Sequence, residues 1–80
     1  MSNEEYIFKK LENLSPADKI LSEKIEKSLG KEWVTPKEVA EYLGRHINTI
    51  YEKINNEEIL SRKIGVRRMI FTPSIILIME

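Results

Sequence analysis

Residues 33–44 carry the strongest structural signal in the chain: Trp33-Val34-Thr35-Pro36-Lys37-Glu38-Val39-Ala40-Glu41-Tyr42-Leu43-Gly44. Thr35 and Glu38 have the spacing of a capping box, in which each side chain accepts a hydrogen bond from the backbone amide of the other residue. Pro36 falls at the first helical position, where a backbone N–H is not needed. The apolar residues that follow share one helical face, and Gly44 supplies the left-handed conformation with which many helices end. The stretch therefore predicts a short amphipathic helix.

The spacing beyond this helix predicts a helix-turn-helix. A second short helix is expected from about Ile47 to Asn55, with Ile50 and Ile54 on its buried face. Ala40 is small enough to let the two helices cross closely, and Gly44 takes the turn between them. Ile50 fills the angle between the helices. Two short helices joined by a glycine-containing turn are the helix-turn-helix motif.

A β-hairpin with a basic tip is predicted after the second helix. Asn56 could take a left-handed conformation at the end of that helix. β-Branched and aromatic residues then flank Gly65 between Arg62 and Phe71. Thr72–Pro73 places a capping residue before a proline, so a last helix is predicted through residues 75–79, with a third strand as the alternative.

Residues 1–30 are predicted to form helix in two pieces, interrupted at Ser15–Pro16. An apolar stripe lies along the second piece, and Gly30 ends it. The members of the stripe are Ile20, Leu21, Ile25 and Leu29. No chemistry is visible in this segment, so core packing or a dimer contact is the expectation.

The charge is unevenly distributed along a chain whose formal net charge is zero. Residues 1–30 have a net charge of −1, whereas residues 44–71 have a net charge of +3. Four cations and no anion lie between Ile59 and Phe71. A local basic stretch attracts nucleic acid even on a neutral protein, because salt screens the distant acidic groups. The alternative is an ordinary solvated surface.

Composition argues against an enzyme. The chain has one histidine, no cysteine, no phosphate-binding glycine loop and no persuasive pair of carboxylates. No cofactor or metal is therefore expected. The longest apolar run, residues 75–79, is far too short to span a bilayer, and residues 1–10 do not have the pattern of a signal peptide. We expect a soluble cytoplasmic protein associated with the nucleoid.

Residues 33–73 resemble the excisionase-like branch of the MerR-type winged helix-turn-helix domains. The resemblance rests on residues 33–44, on Asn48-Thr49-Ile50-Tyr51, and on Ile64-Gly65 followed by Arg67-Arg68. It implies a mainly α fold, a winged helix-turn-helix with a short β-hairpin wing, to which residues 1–30 add an extra N-terminal helical segment. The second helix would lie in the major groove and the wing over the adjacent backbone or minor groove. Residues 1–30 would be the N-terminal helical extension and residues 31–80 the DNA-binding domain, in one compact domain overall.

Five candidate DNA contacts lie in the turn and the second helix. Asn48 lies in the first helical turn, where its amide could bond adenine or could instead cap the helix. Arg45 and His46 lie in the turn, within plausible reach of phosphate, although a histidine near a helix start is as often a cap or a surface residue. Thr49 and Tyr51 have hydroxyls suited to phosphate, and packing of Tyr51 on the wing is the alternative.

Three more candidates lie in the wing, Lys63, Arg67 and Arg68, because a solvated hairpin needs no such concentration of cations. Glu52 would repel phosphate if it pointed toward DNA, or could accept a hydrogen bond from cytosine. Trp33 is expected to anchor the core rather than to stack on a ligand.

The expected function is sequence-specific binding of double-stranded DNA. An excisionase-like recombination directionality factor or a small transcriptional regulator of a phage or mobile element fits best. The alternatives are a protein-interaction winged-helix module and a terminase-type DNA-packaging subunit. Expected partners are double-stranded DNA, a second copy of the chain in a homodimer or cooperative assembly, and an integrase or other phage protein; no membrane is expected.

Overall fold

The computed structural model describes residues 3–79, so residues 1, 2 and 80 of the predicted segments lie outside the described residues. In this range four α-helices, three short strands and a terminal 3₁₀ helix follow one another. They are α1 (Asn3–Glu12), α2 (Pro16–Leu29), β1 (Trp33–Val34), α3 (Pro36–Leu43), α4 (Ile47–Asn55), β2 (Ser61–Ile64), β3 (Arg67–Phe71) and the 3₁₀ helix Thr72–Ile78. The mainly α winged helix-turn-helix is confirmed.

The capping box sets the start of α3. The hydroxyl of Thr35 accepts a hydrogen bond from the Glu38 amide at 3.2 Å, and the Glu38 carboxylate accepts one from the Thr35 amide at 3.4 Å. At the other end Gly44 has a φ of 66° and donates its amide to the carbonyls of Ala40 and Glu41. Both predicted ends of the helix are confirmed, as are the bounds of α4.

The predicted hairpin is confirmed, and it belongs to a larger sheet than expected. β2 and β3 pair in antiparallel fashion, and Gly65 and Val66 form the turn between them. β1 adds a strand that the sequence did not predict, on the other edge of β3, with Trp33 opposite Phe71 and Val34 opposite Ile70. The order β1-β3-β2 places the wing in continuity with the start of α3.

Residues Thr72–Ile78 are helical, so the alternative of a strand is wrong. The helix is of the 3₁₀ type and begins at Thr72, after Phe71. The expectation that Thr72 caps it is also wrong, because the Thr72 hydroxyl donates instead to the carbonyl of Lys31 at 2.7 Å. This bond, together with the bond from the Thr72 amide to the carbonyl of Glu32 at 2.8 Å, ties the start of the 3₁₀ helix to the residues before β1.

The terminal 3₁₀ helix closes the core by packing mainly on α2. Its isoleucines 75, 76 and 78 are buried, so this apolar run packs within the chain. The same cluster holds residues from both helices of the helix-turn-helix and from the sheet. Its buried members are Ile25, Val34, Val39, Ala40, Ile50, Ile54, Ile59, Ile70, Ile75, Ile76 and Ile78.

One local expectation holds in part and another is wrong. Only part of the α2 stripe faces the core: Ile25 is buried and Leu29 packs against the cluster, but Ile20 and Leu21 are 55% and 44% exposed. The left-handed residue after α4 is Glu57, with φ of 58°, whereas Asn56 has φ of −84°. The chain turns one residue later because Asn56 still donates its amide back into α4.

Candidate nucleic-acid interface

One face of α4 is open to solvent and carries polar side chains. Ile50 and Ile54 fix the opposite face in the core, each nearly inaccessible. The spacing of three and four residues then groups a strip of exposed side chains along the free face. This α4 strip consists of Asn48, Tyr51, Glu52 and Asn55. It presents amide, hydroxyl and carboxylate groups, which are the groups that bond base edges in a major groove. Asn55 was not predicted from the sequence as a candidate DNA contact. Its position seven residues after Asn48, about two helical turns, indicates that both lie on the same face of α4.

His46, and not Asn48, is the residue that caps the start of α4. The Nδ1 atom of His46 accepts a hydrogen bond from the Asn48 amide at 3.1 Å. Asn48 is therefore inside the first turn rather than at the cap. Its side chain is exposed and has no hydrogen bond within residues 3–79. The side-chain amide of Asn48 is available to an external ligand, whereas the imidazole of His46 has a structural role.

The two remaining candidates around the turn differ in accessibility. Arg45 is exposed, and its backbone amide bonds the carbonyl of Ala40 at 2.9 Å, so the guanidinium projects from a fixed backbone. Thr49 is half-buried in α4. Arg45 is thus the better placed of the two for phosphate.

The wing carries its cations on both strands. Lys63 lies directly opposite Arg68 in the β2–β3 register. Arg68 donates from Nη1 to the Ser61 hydroxyl at 3.1 Å, and Arg67 is exposed beside the turn. Like charges opposite each other destabilise a strand pair, so the arrangement is unfavourable for the hairpin alone. An anionic ligand would relieve this repulsion.

Arg62, the fourth wing cation, is engaged by the N-terminal helix. Its guanidinium forms an ion pair with Glu4 of α1, with Nε 2.9 Å from Oε2. The hydrogen bond from Arg62 lowers the pKa of Glu4 below its ordinary value, and the same bond raises the pKa of Arg62. The guanidinium also lies 5.7 Å from the ring centre of Trp33, which is only half-buried. Trp33 therefore lies against the sheet rather than inside the core.

A cleft of about 390 Å³ separates the helix-turn-helix from the wing. Its cationic lining comes from two elements: Lys37 from the start of α3, and Arg67 and Arg68 from the wing. Tyr51 of α4 also lines it. No carboxylate is among the lining residues, which are Thr35, Pro36, Lys37, Ile47, Tyr51, Val66, Arg67 and Arg68. Of the sequence-predicted residues, the cleft brings together Tyr51, Arg67 and Arg68.

The remaining predicted residues lie outside the cleft lining, on the turn, on α4 and on β2. Lys37 was missed as a candidate DNA contact because it lies between the two residues of the capping box. The role of this segment in starting α3 already explained its sequence. Lys37 could have been found from the pairing of β1 with the wing. Because β1 directly precedes α3, a wing that pairs with β1 lies close to the start of α3.

Residues 33–74 match the model of a helix-turn-helix domain family, one that includes excisionase-like members. The chain belongs to this family. The match extends from β1 through the helix-turn-helix and the wing to the start of the 3₁₀ helix. No curated protein and no solved structure matches the chain. Membership in a helix-turn-helix family supports DNA as the partner.

No group of three His, Cys, Asp or Glu side chains within residues 3–79 is arranged to hold a metal ion. No helix in the same range combines the length and apolar character needed to cross a membrane.

Proposed function

We propose that this helix-turn-helix protein binds double-stranded DNA sequence-specifically, with α4 in the major groove and the wing against the adjacent backbone. The observation that carries the proposal is the cleft between α4 and the wing, lined by Lys37, Arg67 and Arg68 and by no carboxylate. A sugar-phosphate strand bordering the major groove would run through this cleft. Three cations at one place neutralise phosphate charge and release counterions, which supplies most of the sequence-independent affinity.

Base recognition would come from the α4 strip. Asn48 can bond adenine through both amide atoms, and Glu52 can accept a hydrogen bond from the amino group of cytosine. Glu52 would also repel a phosphate. This repulsion disfavours binding modes in which α4 lies against the DNA backbone instead of the base edges. Arg45, His46, Thr49 and Lys63 would border the same duplex.

The test compares Arg67→Ala/Arg68→Ala with wild type on a specific and a random duplex over a range of salt concentrations. The slope of log affinity against log salt should become shallower by about two, because two phosphate contacts are removed. The matched control is Lys24→Ala/Lys27→Ala, which removes two exposed cations of α2 far along the chain from the wing. Affinity within about twofold of wild type for both duplexes would contradict the proposal.

The finer role that we propose is that of an excisionase-like recombination directionality factor or a small transcriptional regulator, of the MerR-type winged class. The family's excisionase-like members support it. Cooperative assembly of several copies on DNA is part of this proposal, since one winged helix reaches only a few phosphates and base edges. Ile20 and Leu21, both exposed on α2, are the side chains we assign to contact between copies. Sedimentation of the DNA complex would contradict assembly if one protein bound a duplex with several sites without cooperativity.

An integrase or another phage protein is the further partner that this role requires, and the nucleoid is where the protein would act. Binding of the purified protein to an integrase from the same genome, in the presence of attachment-site DNA, tests this directly. Failure of that binding with intact DNA binding would favour the regulator.

A further inference from the structure

The tip of the wing is apolar. Val66 is 95% exposed and Ile64 is 50% exposed, on either side of Gly65. Small and polar residues dominate tight turns, because they suit the backbone and the solvent. A β-branched side chain at this position packs against little within the chain. The three uncharged residues are flanked by Lys63 and Arg67, so an apolar tip stands between cations.

The cleft fixes where this tip would lie on DNA. Val66 lines the cleft together with Ile47 and Tyr51 of α4. If a sugar-phosphate strand occupies the cleft, α4 and the wing tip lie on opposite sides of that strand. Each strand of a duplex separates the major groove from the minor groove, so the tip lies at the minor groove when α4 lies in the major groove.

The dimensions of the tip suit that groove. Only the Val66 side chain at the tip, and not the whole two-stranded hairpin, needs to enter the groove. The minor groove of B-form DNA is about 6 Å wide, too narrow for a helix but wide enough for this side chain. Arg67 beside the tip is attracted by the negative potential of a narrow minor groove.

We propose that Val66 selects DNA by its minor groove and disfavours guanine where the wing tip lies. This inference rests on the proposed DNA binding and names a specificity-determining residue for it. In the minor groove a G·C pair adds an amino donor to the acceptors that A·T pairs also have. Val66 has no acceptor for that donor, and burying an unpaired donor is unfavourable. Its branched side chain has little rotamer freedom with which to move aside.

Inosine provides the test, because it differs from guanine only in lacking the 2-amino group of the minor groove. We expect the full chain to bind an alternating inosine–cytosine duplex about tenfold more tightly than an alternating guanine–cytosine duplex. Val66→Ser should reduce this preference to within about twofold, since its smaller side chain leaves space and its hydroxyl can accept from the amino group. Because Val66 is almost fully exposed, circular dichroism should show an unchanged fold.

The matched control is Met79→Ser, which changes an apolar side chain that is 40% exposed outside α4 and the wing, and which should keep the tenfold preference. Equal affinity of the wild type for the two duplexes, or an undiminished preference in Val66→Ser, would overturn the inference while DNA binding stands. Absence of salt-dependent binding to both duplexes would instead overturn the proposed function, and the inference with it.

Discussion

Two neighbouring residues at the start of α4 have separate roles. The imidazole of His46 caps the helix through the Asn48 amide, and the Asn48 side chain is left exposed without a hydrogen bond in the described range. Because His46 caps the helix, the side-chain amide of Asn48 is not needed for capping. A base edge is the ligand that best matches its paired donor and acceptor.

Replacing Asn48 with alanine should relax sequence preference more than it weakens general binding. The expected loss is about 1–3 kcal/mol on the preferred duplex, the range for one bidentate base contact, with little change on random duplex. Titration of both duplexes at one salt concentration measures the difference. A uniform loss across sequences would assign Asn48 to phosphate, and no loss would leave it without a role in binding.

Gly44 has a positive φ of 66°, and a Cβ atom added there would meet no atom within 4 Å. The expected destabilisation of Gly44→Val is therefore backbone strain alone, about 1–3 kcal/mol. In a domain of this size that corresponds to a fall in melting temperature of about 4–8 °C per kcal/mol. Gly44→Asn is the matched control and should lose less, because asparagine tolerates the left-handed region. A melting temperature of Gly44→Val equal to that of wild type would contradict the argument.

Among the elements, α3 shows how local chemistry holds the interface in place. Burial raises the pKa of Glu38, but hydrogen bonds from the Thr35 amide, the Lys31 ammonium and the Thr35 hydroxyl outweigh it, so the pKa lies below its ordinary value of 4.5. A carboxylate whose pKa is lowered by folding stabilises the protein fully above its unfolded pKa. This stabilisation is lost as the pH falls below 4.5 and through the lower, folded-state pKa.

Glu38→Gln should therefore flatten the acid side of the stability profile. Glutamine still accepts from the Thr35 amide but lacks the charge that Lys31 stabilises, so the free energy of unfolding should fall slightly at pH 7 and its decline below pH 4.5 should become shallower. Thr35→Ala, which removes the cap, should lose about 1 kcal/mol at pH 7. Urea unfolding at several pH values measures both. Glu23→Gln, an exposed carboxylate of α2, is the control, and an unchanged acid limb in Glu38→Gln would contradict the expectation.

The sequence predicted the elements whose causes are local. The capping box, the Gly44 turn, α4 and the hairpin all follow from residues within a few positions of each other. β1 was missed because two residues are too few to show periodicity, and its existence depends on pairing with Phe71, far along the chain. The start of the last helix is held by tertiary bonds of Thr72 that no local pattern contains.

The candidate interface divides in the same way. Each cation of the wing was visible in the sequence, but their grouping with Lys37 depends on how the wing returns to α3. The ion pair of Arg62 could not be predicted either, because its partner Glu4 lies near the other end of the chain.

For the molecule as a whole, α1 holds the wing at its base. Besides the Glu4–Arg62 ion pair, the rings of Phe8 and Phe71 meet edge to face with centres 5.8 Å apart. Ile7, between these contacts, is buried. The N-terminal extension, which lies outside the family match, thus contacts the element that we assign to the DNA backbone.

Glu4→Gln should raise affinity for duplex DNA, since it frees the Arg62 guanidinium for phosphate. We expect the salt dependence to become steeper by about one phosphate contact. Titrations of random duplex at several salt concentrations give both quantities, and Glu12→Gln, an exposed carboxylate later in α1, is the control. A shallower slope or weaker binding in Glu4→Gln would mean that the ion pair positions the wing for DNA instead of competing with it.

The strand order leaves one edge of β2 unpaired within residues 3–79. Such an edge is a template on which a strand of another molecule can add, the first step of fibrous aggregation. Arg62 and Lys63 stand on this strand, and charged side chains on an edge oppose that addition. These two cations therefore also oppose polymerisation of the protein at high concentration. Neutralising Lys63 would reduce binding and also increase the tendency to aggregate, so light scattering should accompany any measurement of its affinity.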